Sequence, residues 1–166
     1  MTPFAETYLG RLRALVGSQL ILMPGAQVVL FDAGSHVLMQ RRADSGQWEF
    51  PSGSAERGQS FADIAITELA EEAGVLVRED ELEPFACLSD PKITHLRYSN
   101  GDQVQAFALC FVVRVAQRPP AWGADGEAAE HTWWPLAGLP TSLDRTAGAT
   151  AAHLRAYLRS GSFQVG

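Results

Sequence analysis

Three glutamates, Glu68, Glu71 and Glu72, stand at i, i+3 and i+4 in the stretch Phe61 to Ala73. On a helix that spacing brings all three to one side. Like charges so placed repel and weaken a helix unless a cation joins them. Carboxylate oxygens select hard divalent ions, so the pattern calls for Mg²⁺ or Mn²⁺. A carboxylate-held ion next to a Gly-rich turn is equipment for hydrolysing phosphate-bearing substrates. The turn is present immediately upstream, in Trp48-Glu-Phe-Pro-Ser-Gly-Ser54.

The element carrying the glutamates is well signalled. Ser60 is an N-cap, Asp63 completes a capping box and suits the positive end of the helix dipole, and Gly74 supplies a left-handed stop. Ala62, Ala65, Ile66, Leu69 and Ala73 are expected to pack on the face away from the carboxylates. Upstream, Phe4 to Val16 has helical periodicity and ends at Gly17. Gln19 to Met23 is expected as a strand stopping at Pro24-Gly25. Gln27 to Asp32 and His36 to Arg42 form a hairpin, and Trp48 to Phe50 a short strand. Downstream, Glu83 to Leu88 reads as a strand, with a loop or open hairpin from Asp90 to Asp102. Gln103 to Val115 is the longest apolar strand and the expected sheet centre. His131 to Pro135 is a further strand, and Ala147 to Leu158 a final helix.

At 166 residues, with 46% hydrophobic and 19% charged residues, the chain is expected to be one soluble domain spanning 1–166, with residues 1–17 as an N-terminal helical extension. A net charge of −6 lacks the basic footprint that extended nucleic acid or an anionic membrane requires. A single nucleotide remains compatible, because a metal brings its own positive charge. With no signal-type or membrane-spanning apolar run, a cytoplasmic location is expected. Cys87 and Cys110 lie in apolar strands without metal spacing and are expected as reduced core residues.

The central stretch resembles the signature of the Nudix (MutT-like) hydrolase family. Gly53, Gln59 and Thr67-Glu-Leu-Ala-Glu-Glu-Ala-Gly-Val75 fall at the signature's spacing, and Glu49-Phe-Pro51 and the segment 133–136 (WWPL) are similar to family features. The resemblance implies an α/β fold with a mixed β-sheet sandwiched between α-helices. It also implies metal-dependent cleavage of a pyrophosphate bond in a nucleoside diphosphate linked to another moiety: a nucleotide sugar, ADP-ribose or a nucleoside triphosphate. Carried over by position, Glu68 and Glu72 would ligate Mg²⁺ or Mn²⁺. Glu71 would do so directly or through water, and the Ser52 carbonyl would add a backbone oxygen. Glu68 and Glu71 are thus assigned to catalysis. A general base is expected from a later loop, with Glu127 first, then Glu130 and Asp102.

For the substrate, Arg41 is the expected phosphate contact, with Trp48, Tyr98 and Asn100 as nucleoside-side candidates. Each has a plainer reading: a surface arginine, a packing tryptophan, an ordinary turn. Phe4 to Val16 is also a candidate dimerisation helix, which would make a homodimer. Two positions depart from the signature. Gln59 stands where its first glutamate belongs, and Thr67 replaces its arginine, leaving Arg57, Arg41 or Arg42 to supply the charge from elsewhere. Ser52 replaces a turn glycine. These departures leave open a non-catalytic, nucleotide-binding or regulatory module on the same fold.

Overall fold

The computed structural model describes residues 3–98, 100–120 and 128–166. Its frame is a mixed sheet in the order β3-β2-β1-β7-β5-β9, with β4 on β1, β6 on β7 and β8 on β2. The strands are β1 (Leu20–Asp32), β2 (His36–Arg42), β3 (Trp48–Glu49), β4 (Ser52–Ser54), β5 (Glu83–Leu88), β6 (His95–Arg97), β7 (Gln103–Val115), β8 (Ala128–Pro135) and β9 (Gln164–Val165). The helices are α1 (Tyr8–Val16), α2 (Phe61–Ala73), α3 (Pro91–Thr94) and α4 (Arg145–Ser160). Among the described residues no helix is long and apolar enough to cross a membrane.

Strand periodicity builds the two layers of core. Successive side chains of a strand point to opposite faces. Ala26, Val28 and Leu30 of β1, Leu38 of β2, and Phe111 and Val113 of β7 therefore meet Ile64, Ala65, Leu69 and Ala73 of α2. Their neighbours Val29, Val37, Met39, Cys110 and Val112 meet Ala147, Ala151 and Leu154 of α4 on the other side. The sheet is thus sandwiched between helices, as expected, and β7 lies inside it. Cys110 is buried and Cys87 partly so, both free.

Several local expectations are corrected. The N-terminal helix begins at Tyr8, after a separate 3-10 turn at Phe4–Glu6. Pro24-Gly25 does not end a strand, because β1 runs through it in parallel register with the whole of β7. The Pro24 carbonyl accepts the Ala55 N–H at 3.0 Å, and a Cβ at residue 25 would lie 2.5 Å from the Gly53 carbonyl oxygen. The Pro-Gly pair therefore admits a close antiparallel neighbour, β4, rather than a turn. That strand, together with α3, β6 and β9, is absent from the periodicity reading. β8 and α4 also extend further than read.

Candidate active site

Helix α2 forms as its caps dictate. The Ser60 hydroxyl accepts the Asp63 N–H and the Asp63 carboxylate accepts the Ser60 N–H, while Gly74 at φ 66° returns its N–H to Leu69 and Ala70. The buried face differs from the expected one. Ile64, Ala65, Leu69 and Ala73 pack, whereas Ala62 and Ile66 are only half-buried. Glu72 belongs to the packed side, at 6% exposure, while Glu68 is half-buried and Glu71 exposed. The three carboxylates therefore differ in surroundings although they share one sequence pattern.

Strand β4 brings backbone to two of them. The Ser52 N–H donates to Glu72 Oε2 at 2.8 Å. At the next residue, a Cβ on Gly53 would lie 1.8 Å from Glu68 Oε1 and 2.1 Å from its Cδ. Glycine leaves room there for the Glu68 carboxylate, which occupies the volume a side chain would take. Glu68 and Glu72 thus sit over consecutive residues of β4.

Burial pushes the Glu72 carboxyl up to about 9, and the negative charges of Glu68 and Glu49 push the same way. The Ser52 N–H and the Gln40 amide oppose that rise. Burying a second negative charge beside a first is unfavourable without a compensating cation. Among the described residues no three His, Cys, Asp or Glu side chains are gathered as a ready metal cage. The fit to a hard divalent ion rests instead on the chemistry of the donor set, the Glu68 and Glu72 carboxylates placed over consecutive residues of one strand.

Gln40 of β2 is 1% exposed. Its Nε2 donates to Glu49 Oε1 at 3.2 Å, so the one amide serves both Glu49 and Glu72. The Glu49 carboxyl is itself raised by burial, against the pull of Arg42. From β8, His131 Nε2 lies 2.8 Å from the Glu72 carbonyl oxygen. A carbonyl can only accept, so Nε2 carries the hydrogen and ties the last turn of α2 to the sheet. Neither Gln40 nor His131 was legible as a site residue, since both are recruited by strand register.

The two signature departures have local explanations or none. Gln59 Oε1 accepts the Glu56 N–H at 2.9 Å, so this side chain closes its own loop. Thr67 is half-buried, and nothing in the structure explains its replacing an arginine.

The other expected residues scatter. Glu127 lies outside the described residues. Glu130 Oε2 accepts from Arg41 Nε at 3.1 Å across the β2–β8 ladder, and its Oε1 accepts from Thr132. Arg41 is thus joined to a neighbouring strand. Trp48, expected near the substrate, is 7% exposed and packs edge-on against Trp134 with ring centroids 5.5 Å apart. Its role is in the core. Asn100 closes a turn on Asp102, accepting its N–H and donating to its carboxylate, both at 3.0 Å. Asp102 in turn lies 3.5 Å from Arg13.

Tyr98 does line a cavity, whose walls include Ser52 and Gly53 but not Glu68, Glu71 or Glu72 themselves. That cavity, of about 750 Å³, is also lined by Glu49. It exists because β1 and β7 present small residues on the same face, Gly25 beside Ala108, with Ala106 next to Met23. Arg42, Arg97 and Arg145 also line it. Arg42, rather than Arg41, is the strand-end arginine at the cavity, held by Asp44 at 2.8 Å and Glu49 at 3.4 Å.

Comparison with known proteins follows the same lines. The family model described as NUDIX domain matches residues 22–156. No curated protein sequence matches the chain. An ADP-ribose pyrophosphatase from Streptococcus suis superposes with a TM-score of 0.65 at 19% identity, covering 87% of this chain and 98% of that one. The NUDIX domain of Shewanella oneidensis NrtR, solved with ADP ribose, gives 0.64 at 20% identity over 95% and 99%. A C. elegans Ap4A hydrolase binary complex gives 0.59 at 19% over 82% and 98%. At these identities the likeness is one of fold.

Proposed function

The chain belongs to the Nudix family, a hydrolase family, and from that premise we propose that it cleaves a pyrophosphate bond in a nucleoside diphosphate linked to a second group. The observation that carries this is the pair Glu68–Glu72, set over Ser52 and Gly53, two residues that line the cavity. The substrate class is a nucleotide sugar, ADP-ribose or a nucleoside triphosphate. An ADP-ribose pyrophosphatase and an ADP-ribose-bound domain of the same fold support that range.

Glu68 and Glu72 would hold Mg²⁺ or Mn²⁺, with the Ser52 carbonyl as a backbone donor and Glu71 completing the set directly or through water. A divalent ion neutralises phosphate oxygens and makes water a nucleophile at neutral pH. The chain's own residues do the rest. The Ser52 N–H and the Gln40 amide orient Glu72, and His131 fixes the turn that carries it. Gly53 lets Glu68 close onto β4. Arg42 and Tyr98, at the cavity wall, are proposed to bind the phosphate and the nucleoside. Glu127 is the proposed base for the attacking water.

Gln59 is neutral and engaged in its loop, so the ion-holding set excludes it. The test is release of nucleotide products across a panel of such substrates with Mg²⁺ or Mn²⁺. Turnover supports the assignment, whereas nucleotide binding without turnover would favour a regulatory module.

A further inference from the structure

Helix α1 lies outside the family-matched residues 22–156, yet its Leu9 lines the cavity. We propose that α1 is a wall of the substrate cavity, that Leu9 is a specificity-determining residue, and that Glu56 is the residue that positions it. This rests on the hydrolase reading above.

Both ends of the helix are anchored to the site's own frame. At the N-terminus the Tyr8 N–H donates to both oxygens of Glu56, at 2.8 and 3.0 Å. Glu56 belongs to the loop between β4 and α2, and its own N–H is held by Gln59. A carboxylate at the first turn satisfies an orphan donor and complements the positive end of the helix. The loop leading into the carboxylate helix thereby adds to the Thr7 cap of α1, whose hydroxyl accepts the Gly10 N–H. At the other end Arg13, 9% exposed, donates to the carbonyls of Gly17, Gln19 and Gln103 and pairs with Asp102 at 3.5 Å. Those contacts reach the starts of β1 and β7, the two strands that floor the cavity.

Between the anchors, Leu9 is half-buried and lines the cavity with Met23, Leu96 and Ala106. Met23 pairs with Ala106 four residues along β1 from Gln27, the partner of Ser52, so this apolar group lies away from Ser52 in a lining that also holds Arg97 and Tyr98. A bond cleaved at the carboxylates leaves one group of the substrate directed toward α1. Its size and apolarity are then what Leu9 reads.

The test uses the full chain and compounds graded by the bulk of the group attached to the nucleoside diphosphate, from a nucleoside triphosphate to a dinucleoside polyphosphate. Leu9→Trp should lower kcat/KM for the bulkiest relative to the smallest by about ten-fold, and Leu9→Ala should shift the ratio the opposite way. Glu56→Gln should raise KM more than it lowers kcat, and should speed amide hydrogen exchange across residues 8–16. Independently of turnover, ADP-ribose should slow maleimide labelling of Leu9→Cys, followed by mass spectrometry of that peptide. Turnover by the unmodified protein with unchanged ratios and unprotected labelling would overturn the wall and leave the hydrolase reading standing. Neither turnover nor protection by any compound in the panel would overturn both.

Discussion

Gly53→Ala is the perturbation that bears most sharply on how the site is assembled. Its added methyl would sit 1.8 Å from Glu68 Oε1, 2.1 Å from Cδ and 2.7 Å from Cγ. No real contact is that short, so Glu68 must swing away from β4. Because the colliding atoms are the end of a half-buried, flexible side chain, the fold should accommodate the change at ~1–3 kcal/mol, the usual cost of overpacking. That corresponds to a melting shift of about 2–4 °C per kcal/mol for a chain of this size. Activity should suffer far more. A displacement of about 1 Å in a positioned group costs on the order of 100-fold, or ~2.7 kcal/mol of transition-state stabilisation. The assay is steady-state hydrolysis with Mg²⁺ beside thermal unfolding of the same sample. The double variant Gly53→Ala/Glu68→Ala closes the cycle: with the carboxylate gone the methyl has room, so stability returns while activity stays low. A folded Gly53→Ala protein with kcat/KM within two-fold of the parent would refute the placement of Glu68 over β4.

Three further outcomes follow from the same geometry. Glu72 is raised from 4.5 to about 9 in the folded state. Without metal its contribution is fully present below pH 4.5 and is lost as pH rises toward 9, so chemical denaturation should show falling stability across that window. In Glu72→Gln the fall should be shallower, and equal slopes would contradict the burial argument. Gln59→Glu should leave Mn²⁺ affinity within about two-fold and stability within ~0.5 kcal/mol, since a carboxylate accepts the same Glu56 N–H; a ten-fold gain in affinity by calorimetry would place residue 59 at the ion. Trp48→Ala should cost ~3–5 kcal/mol in denaturant unfolding, whereas Trp48→Phe, which keeps a ring against Trp134, should leave KM unchanged. A selective rise in KM for Trp48→Phe would return Trp48 to the substrate.

What was legible in the sequence is what local physics decides. The caps of α2 lie within a few residues of one another, so Ser60, Asp63 and Gly74 could be assigned by type alone. The long apolar run of β7 was equally visible, whereas a sheet between helices was what the family resemblance implied. Features set by approach between distant segments were not. Pro24-Gly25 has the composition of a turn, and only the arrival of β4 shows that it makes room for an antiparallel neighbour. A helical projection groups Glu72 with Glu68 and Glu71, but the position of the sheet decides that Glu72 is buried and Glu71 exposed. Gln59 stands in the sequence as a departure from the signature, whereas the structure gives it a partner in its own loop. The contributions of Gln40, His131 and Leu9 come from strand register or helix docking, which no periodicity encodes.

The central claim is that Glu68 and Glu72 hold the ion for pyrophosphate cleavage. It is tested most directly by product analysis of nucleoside diphosphate derivatives incubated with Mg²⁺ or Mn²⁺ and either the unmodified protein or Glu72→Gln. The amide preserves the shape of Glu72 and can still accept the Ser52 N–H, but cannot supply a charged ligand. The account predicts release of nucleotide products by the unmodified protein and a fall of about 100-fold or more in kcat for the variant. Equal turnover by the two proteins would contradict it.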